Sequence, residues 1–201
     1  MRKDKHTLDK ILGECFKLFL QKGYKEVTIP DIENAIGMTR GAVFYYFKDK
    51  QELFKAVIDK YIIENQGIPN KINLNDESGL LRFIINYAEG IHRNRESFQP
   101  SSNYPGGLLS YLNLFNSALI YYDGFKEKAA LILEQEILLW EKVIETAKIS
   151  QEIRDNVNST ITAKKFQRLF YSESILNGIV TDFNSSELLE ICIEEYNLIK
   201  L

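Results

Sequence analysis

Apolar residues recur at helical spacing along most of this chain, and no stretch alternates with the period of two that is typical of a β-strand. Polar and turn-forming residues interrupt the helical pattern at 65–78 and again at 99–107. The pattern predicts an all-α fold of about nine helices. After the first four, we expect helices near 80–91, 108–121, 123–149, 159–182 and 185–199.

The segment that begins at Thr28 carries a dense set of helix-boundary signals. Thr28 and Asp31 form a capping-box-like pair before an apolar run. Ile32 and Ile36 lie one helical turn apart, so both are expected to face inward. Gly37 follows at the position where a left-handed backbone lets the chain turn sharply. These signals predict a short helix that ends in a tight glycine turn.

A second short helix is expected directly after this turn. Thr39 can cap it, and Arg40 is its first residue. Asp49 and Glu52 form another capping pair, which predicts a further helix from about 50 to 64. Two short helices joined in this way are typical of a helix-turn-helix, whose second helix lies in the DNA major groove.

Residues 8–60 resemble the N-terminal domain of the TetR family of bacterial transcriptional regulators. The resemblance rests on a first helix that ends at 22–24, on the segment TIPDIENAIG, and on TRGAVFYYFKDKQEL. It implies a helix-turn-helix DNA-binding domain over 1–49 and a larger helical domain over 50–201 for ligand binding and dimerisation. Two positions depart from the family pattern: Glu33 replaces a small alanine, and Phe44 replaces a tyrosine that contacts phosphate.

The motif and the resemblance together select nine candidate DNA-contacting residues: Thr28, Thr39, Arg40, Gly41, Val43, Phe44, Tyr45, Tyr46 and Lys50. We expect Arg40 to contact a guanine, Val43 a thymine methyl, and the threonines, tyrosines and Lys50 the phosphates. Gly41 would allow close approach of the backbone. Two alternatives remain open, namely that Tyr45 packs against the domain core and that Lys50 is a solvated charge.

Charge is distributed unevenly, which suits a DNA-binding protein despite the acidic total. Residues 1–60 contain 12 Lys/Arg and 9 Asp/Glu, a net of +3, whereas residues 61–201 contain 13 and 19, a net of −6. The basic start at 2–5 is expected either to follow the DNA or to be a frayed terminus. No signal-peptide pattern or long apolar run is present, so we expect a cytoplasmic protein without a membrane partner. Cys15 and Cys192 are expected to be buried thiols in a reducing compartment.

Five residues of the C-terminal part are candidates for binding a small-molecule effector of largely apolar character: Tyr87, Tyr111, Phe115, Glu136 and Trp140. Aromatic residues at helical spacing form either a core or the wall of a cavity, which the family resemblance implies. Glu136 falls within the apolar arc of its helix, and a buried carboxylate needs a partner. The alternatives are an ion pair with Arg82 or Arg93, or a position at the exposed edge of the arc.

The last two predicted helices are expected to pair with those of a second copy, as the resemblance implies. Their candidate interface residues are Phe166, Phe170, Ile179, Leu188, Cys192 and Tyr196. The alternative is that these helices only complete the core of one chain. A homodimer is favoured because one recognition helix contacts too few base pairs for useful specificity.

No catalytic motif is recognisable in the sequence. It lacks a phosphate-binding glycine loop and a nucleophile elbow, and His6 and His92 have no second ligand at metal-binding spacing. We therefore expect no catalytic residues, metal or cofactor. The expected function is that of a repressor released from a palindromic operator by an effector. A helix-turn-helix module that binds protein, or an all-helical small-molecule enzyme, would be the alternatives.

Overall fold

Nine α-helices account for most of the residues that the computed structural model describes, which are 4–64, 79–98, 107–180 and 185–201. Within these ranges the chain forms no strand beyond one isolated bridge between Ile153 and Lys200. The all-α prediction is therefore confirmed. The helices are α1 Lys5–Glu26, α2 Ile29–Ile36, α3 Arg40–Tyr46, α4 Lys50–Ile58, α5 Leu80–Phe98, α6 Gly107–Tyr121, α7 Phe125–Ile149, α8 Ser159–Val180 and α9 Ser185–Asn197.

The expected basic arm at 2–5 lies largely outside the described residues, and so do the two predicted turn-rich segments apart from Gly107. None of the helices in the described ranges combines the length and the apolar character needed to cross a bilayer.

The chain divides into two compact units, which are described separately. The first comprises Met1–Asn65 and Gln99–Ala129, and the second comprises Gln66–Phe98 and Ala130–Leu201. The division follows the density of contacts and does not test the predicted boundary of a DNA-binding domain at 49/50, which stays a prediction. In the first unit α1 packs against α2, α4 and α6.

The first unit has an aromatic core between α1 and α4. Phe19 and Phe54 are fully buried, with their rings edge to face at 5.1 Å between centroids. Tyr24 packs against Phe54 at 4.4 Å and against Tyr121 of α6 at 4.7 Å. Gly23 precedes this tyrosine with φ 75° and ψ 160°, so the regular part of α1 ends at the predicted residues.

A π-helical turn over Asp59–Ile63 continues α4. The carboxylate of Asp59 accepts hydrogen bonds from the Tyr122 hydroxyl at 2.8 Å and from the Lys128 ammonium at 2.7 Å. Lys128 also donates to the Tyr122 hydroxyl. The hydrogen bond to Asp59 raises the pKa of Lys128. This network ties the irregular turn of α4 to the start of α7 within the first unit.

The second unit is built around Trp140 of α7. Its indole is stacked on Phe166 of α8 at 5.1 Å between centroids and 7° between planes. Phe83 of α5 approaches edge to face at 4.7 Å, and Phe170 packs at 5.7 Å. Since all four rings are buried, they bring α5, α7 and α8 together in one apolar core.

Glu152, in the loop between α7 and α8, joins three parts of the second unit. Its carboxylate accepts the backbone N–H groups of Leu80 at 2.8 Å and of Leu81 at 3.0 Å, at the start of α5. It also accepts the Tyr196 hydroxyl of α9 at 3.1 Å. Because the first N–H groups of a helix lack intrahelical acceptors, this distant carboxylate serves as the cap of α5.

Candidate nucleic-acid interface and a buried polar cluster

The turn between α2 and α3 has the geometry expected of a helix-turn-helix. The Thr28 side chain accepts from the Asp31 backbone, and the Asp31 carboxylate accepts from the Thr28 backbone at 2.9 Å, which completes the predicted capping box. The Thr28 hydroxyl also donates to the same carboxylate at 2.7 Å. Gly37 then adopts the left-handed conformation, with φ 71° and ψ 33°, as predicted.

The beginning of α3 is held by two side chains. The Thr39 hydroxyl accepts the Ala42 N–H at 3.4 Å as the predicted N-cap. The Glu33 carboxylate accepts a hydrogen bond from the backbone N–H of Arg40. Glu33, which departs from the family pattern, therefore links the end of α2 to the start of α3. A carboxylate at the start of a helix also interacts favourably with the helix dipole.

One face of α3 is open to solvent and carries four of the candidate DNA-contacting residues. Arg40 and Gly41 are exposed, Tyr45 is 45 % exposed, and Phe44 is half-buried between them. The Arg40 guanidinium lies over the Phe44 ring, 5.7 Å from its centroid. A Cβ added at Gly41 would meet no atom within 4 Å, so packing within the chain does not require glycine there.

The two tyrosines of α3 differ in their surroundings. Tyr45 and Tyr46 contact each other edge to face at 5.3 Å. The large exposed fraction of Tyr45 disagrees with the alternative that this ring packs against the domain core. Tyr46 is half-buried.

Val43 faces the opposite side of α3, and its predicted contact with a thymine methyl is wrong. Its exposed fraction is 0 %, because it lies in the core of the first unit. The sequence pattern of α3 already indicated that Val43 faces inward, since Val43 and Phe47 are apolar and one helical turn apart. Both side chains are buried.

Lys50, expected at a phosphate or in solvent, is instead used by the fold. Its ammonium donates to the carbonyl oxygens of Tyr24 at 3.0 Å and Val27 at 2.8 Å, and it lies 4.5 Å from the Tyr24 ring centroid. Desolvation lowers the pKa of Lys50. The side chain thus connects the end of α1 to the start of α4, and any phosphate contact would compete with these bonds.

In the second unit, Glu136 is the centre of a buried polar cluster. Its exposed fraction is 1 %, so the alternative of an exposed arc edge is wrong. Its Oε2 accepts hydrogen bonds from Gln167 Nε2 at 3.1 Å and from the Tyr171 hydroxyl at 3.0 Å. Gln167 also donates to the Leu133 carbonyl at 2.9 Å. Gln167 and Tyr171 were not predicted, although their spacing of four residues places both on one face of α8.

Trp140 lies one turn beyond Glu136 and contributes an unmatched donor. Its side chain is fully buried, and its indole Nε1 meets no hydrogen-bond acceptor among the residues that the structure describes. Tyr87 packs against this indole at 5.1 Å. Three of the five candidate effector residues thus belong to the second unit. The other two, Tyr111 and Phe115, belong to the first unit, where Phe115 packs edge to face on Phe125.

The residues predicted for a dimer interface are committed to the core of a single chain. Phe166, Phe170, Leu188 and Cys192 have exposed fractions of 0 %, and Tyr196 is also buried. The side chain of Ile179 lies outside the described residues. The apolar pattern of α8 and α9 was therefore assigned to the wrong neighbour, because a helix face that completes its own core has the same spacing as one that meets a partner. Among the side chains of α8 that the structure describes, the large apolar ones that are exposed are Ile161, Ile175 and Leu176.

The geometry is that of an all-α helix-turn-helix protein, and comparison with known proteins shows which family its N-terminal part resembles. A family model described as "Bacterial regulatory proteins, tetR family" matches residues 11–57. The match covers the helix-turn-helix segment, which is similar to the N-terminal domain of TetR-family regulators.

Two relatives align with this chain over only part of their own lengths. The HTH-type transcriptional regulator YvaF of Bacillus subtilis is 28 % identical over 126 residues, which is 62 % of this chain and 63 % of YvaF. The HTH-type transcriptional repressor Rv1474c of Mycobacterium tuberculosis is 45 % identical over 47 residues, 23 % of this chain and 25 % of the repressor. The chain thus spans less than two thirds of each relative. Both are named as regulators rather than as enzymes, in line with the expectation from sequence.

Solved structures extend the likeness in fold to the whole chain. A TetR-family regulator from Cytophaga hutchinsonii has a TM-score of 0.71 at 16 % identity, covering 100 % of this chain and 98 % of that one. A TetR regulator from Haloarcula marismortui has a TM-score of 0.73 at 16 % identity, covering 98 % and 100 %. At such low identity the likeness shows the fold alone.

Proposed function

We propose that this protein is a transcriptional regulator, most simply a repressor, that binds an operator with two related half-sites as a homodimer. The observation that carries the proposal is the exposed face of α3, which presents Arg40, Gly41, Phe44 and Tyr45 on a helix capped at its start. A helix presented in this way fits the major groove, where arginine commonly pairs with guanine through two hydrogen bonds. The similarity of residues 11–57 to TetR-family regulators supports the same function.

Phosphate contacts would position this helix on the duplex. The Thr39 oxygen accepts a backbone N–H, and no acceptor in the described ranges takes its hydroxyl hydrogen, which is therefore available to a phosphate. The Thr28 hydroxyl hydrogen is already given to Asp31. We therefore rank Thr39, with Tyr45 and Tyr46, above Thr28 as a phosphate contact.

Selection of bound sequences from a random DNA pool tests the proposal. Arg40→Ala should weaken binding to the selected site by about 5- to 150-fold, or roughly 1–3 kcal/mol, and should relax the preference at one base position. Lys126→Ala is the matched control, because it removes one exposed positive charge from the same unit at a distance from α3 in sequence. Equal losses on selected and random DNA would contradict base recognition by Arg40.

The absence of any retained DNA at low salt would overturn the proposal. A helix-turn-helix fold that binds protein would then be the better interpretation.

We also propose that α8 and α9 pair with those of a second copy. The contact would use the exposed side chains Ile161, Ile175 and Leu176 of α8 rather than the buried ones. Leu176→Glu should shift the protein from dimer to monomer in sedimentation velocity. Leu138→Glu is the control, because Leu138 is similarly exposed on α7. A monomeric wild type, or a dimer that survives Leu176→Glu unchanged, would contradict this interface.

For the effector, we propose a site in the second unit beside Glu136 and Trp140. A buried N–H without an acceptor costs roughly 1–3 kcal/mol, which a ligand with an acceptor atom would recover. Trp140 is the only tryptophan of the chain, so its fluorescence reports binding of metabolite fractions directly. Glu136→Gln should change the affinity of an active fraction. An unchanged affinity would exclude Glu136 from the site.

A further inference from the structure

Arg40 and Phe44 lie one helical turn apart on the exposed face of α3 and contact each other. The guanidinium lies 5.7 Å from the centre of the Phe44 ring, within the range of a cation–π interaction. The attraction to the ring restricts the guanidinium, while the donors at its edge remain available. In the part of the chain that the structure describes, the guanidinium donates to no acceptor. The pair is thus preformed, with its polar edge unused.

Phe44 is the apolar side chain of α3 that is best placed to meet a base. It is half-buried, and it lies between exposed Arg40 and exposed Tyr45, whereas Val43 is enclosed in the core. In the major groove, the C5 methyl of thymine is the feature that an apolar side chain recognises. The phenylalanine that replaces the family's tyrosine therefore suits a methyl group better than a phosphate.

Gly41 lies on the same face and has no side chain that would keep the backbone of α3 away from the DNA. Space for a Cβ exists there, and the residue lies inside a helix with ordinary backbone angles, so glycine is not needed for folding. Glycine inside a helix is less favourable than alanine, because its backbone loses more conformational entropy. A glycine at this position lets the backbone of α3 come close to the base edges, which also brings the Phe44 ring within reach of a methyl.

Resting on the proposed function, we propose that Arg40 and Phe44 act as one recognition unit for a guanine and a thymine within two base pairs of each other, with the Phe44 ring against the thymine methyl. The separation of the two groups limits how far apart these bases can be. Successive base pairs are about 3.4 Å apart along the duplex. The guanidinium and the ring centre are 5.7 Å apart, which is less than two such steps, so the two groups would contact bases one or two base pairs apart.

Replacing single thymines by deoxyuridine tests this assignment, because it removes only the C5 methyl and leaves the hydrogen-bonding edges intact. After the operator is selected from a random pool, each thymine of one half-site is replaced in turn and the dissociation constant is measured. We expect one thymine, within two base pairs of the guanine assigned to Arg40, at which the replacement weakens binding by about fourfold, the value of one buried methyl-sized group. Replacement of thymines outside the half-sites should have no effect and serves as the control.

The second arm assigns the methyl contact to Phe44. In Phe44→Ala the same replacement should change affinity by less than about 1.5-fold, because the methyl has lost its partner. Phe44→Leu keeps an apolar side chain and should retain part of the effect; it also covers the case in which Phe44→Ala does not fold, which circular dichroism detects.

Three outcomes would overturn the recognition unit while leaving the proposed function intact. They are selected operators without a guanine and a thymine within two base pairs of each other, tolerance of deoxyuridine at every position, and an undiminished effect in both Phe44 variants. If the selection recovers no DNA at all, the proposed function itself fails and the recognition unit with it.

Discussion

The carboxylate of Glu152 is expected to contribute more to the stability of the second unit than any exposed carboxylate of α7. In Glu152→Ala, two N–H groups at the start of α5 and the Tyr196 hydroxyl lose their acceptor. Loss of a helix cap costs about 1 kcal/mol, and loss of a hydrogen bond to a charged group costs about 1.5–3 kcal/mol. Because Leu80 is fully buried, its N–H cannot form a replacement hydrogen bond with water. We therefore expect a loss of about 3 kcal/mol.

Trp140 provides the assay, since this single tryptophan lies in the core of the second unit. Thermal unfolding followed by its fluorescence should show a midpoint lower by about 6–12 °C in Glu152→Ala. Tyr196→Phe removes one of the three hydrogen bonds and should cost about 1 kcal/mol. Glu134→Ala, at an exposed position of α7, removes the same charge and should leave the midpoint unchanged.

Gly79 allows a test of the geometry itself. It has φ 96°, and a Cβ there would lie 2.5 Å from Glu152 Oε2. Gly79→Ala should therefore be more damaging in the wild type than in the Glu152→Ala background, where the clash is absent. Additive effects of the two substitutions, or a Glu152→Ala midpoint within about 1 °C of wild type, would refute the cap.

Three further predictions concern the backbone, one carboxylate and the thiols. Gly23→Ala should lower the free energy of unfolding, measured in urea, by roughly 1–3 kcal/mol, since φ 75° with ψ 160° suits glycine alone. Gly41→Ala should raise the free energy of unfolding by up to about 1 kcal/mol, because space for a Cβ exists there. Equal effects of the two substitutions would contradict both assignments. A hydrogen bond from Lys22 holds the pKa of Asp31 well below its usual value, so its stabilisation is present above about pH 4 and is lost as pH falls further. The acid-unfolding curve of Asp31→Asn should be correspondingly shallower, and parallel curves would exclude a contribution. Burial raises the pKa of both cysteine thiols to about 12, so a thiol reagent at pH 8 should label the native protein only as fast as it opens, and rapid labelling would contradict their burial.

Local signals in the sequence predicted the helix-turn-helix down to its caps. The capping box at Thr28, the left-handed Gly37, the Thr39 cap and the start of α4 after Asp49 are all present in the structure. Each depends on residues within four positions of one another. Their conformations are therefore encoded by short-range hydrogen bonds, which a sequence displays directly.

Contacts between residues far apart in the sequence could not be predicted from such local signals. Lys50 donates to carbonyls 23 and 26 positions earlier, and Gln167 meets Glu136 from 31 positions away. Helical periodicity identifies the buried face of a helix but not the element that covers it. For this reason Phe166 and Phe170 were assigned to a second copy, whereas they surround Trp140 in their own chain.

The use of basic side chains by the fold bears on how the proposed regulator would recognise DNA. The first 60 residues have a net charge of only +3, and part of their positive charge is already paired. Lys22 pairs with Asp31 and Lys60 with Asp9, while Lys50 is turned towards backbone carbonyls. Phosphate attraction scales with the number of charges that remain for the DNA, so it would be modest in this chain. Discrimination between the operator and other DNA would then depend on the exposed face of α3 and on its duplication in a dimer. Two weakly charged recognition helices would together bind a site for which one helix alone has too little affinity.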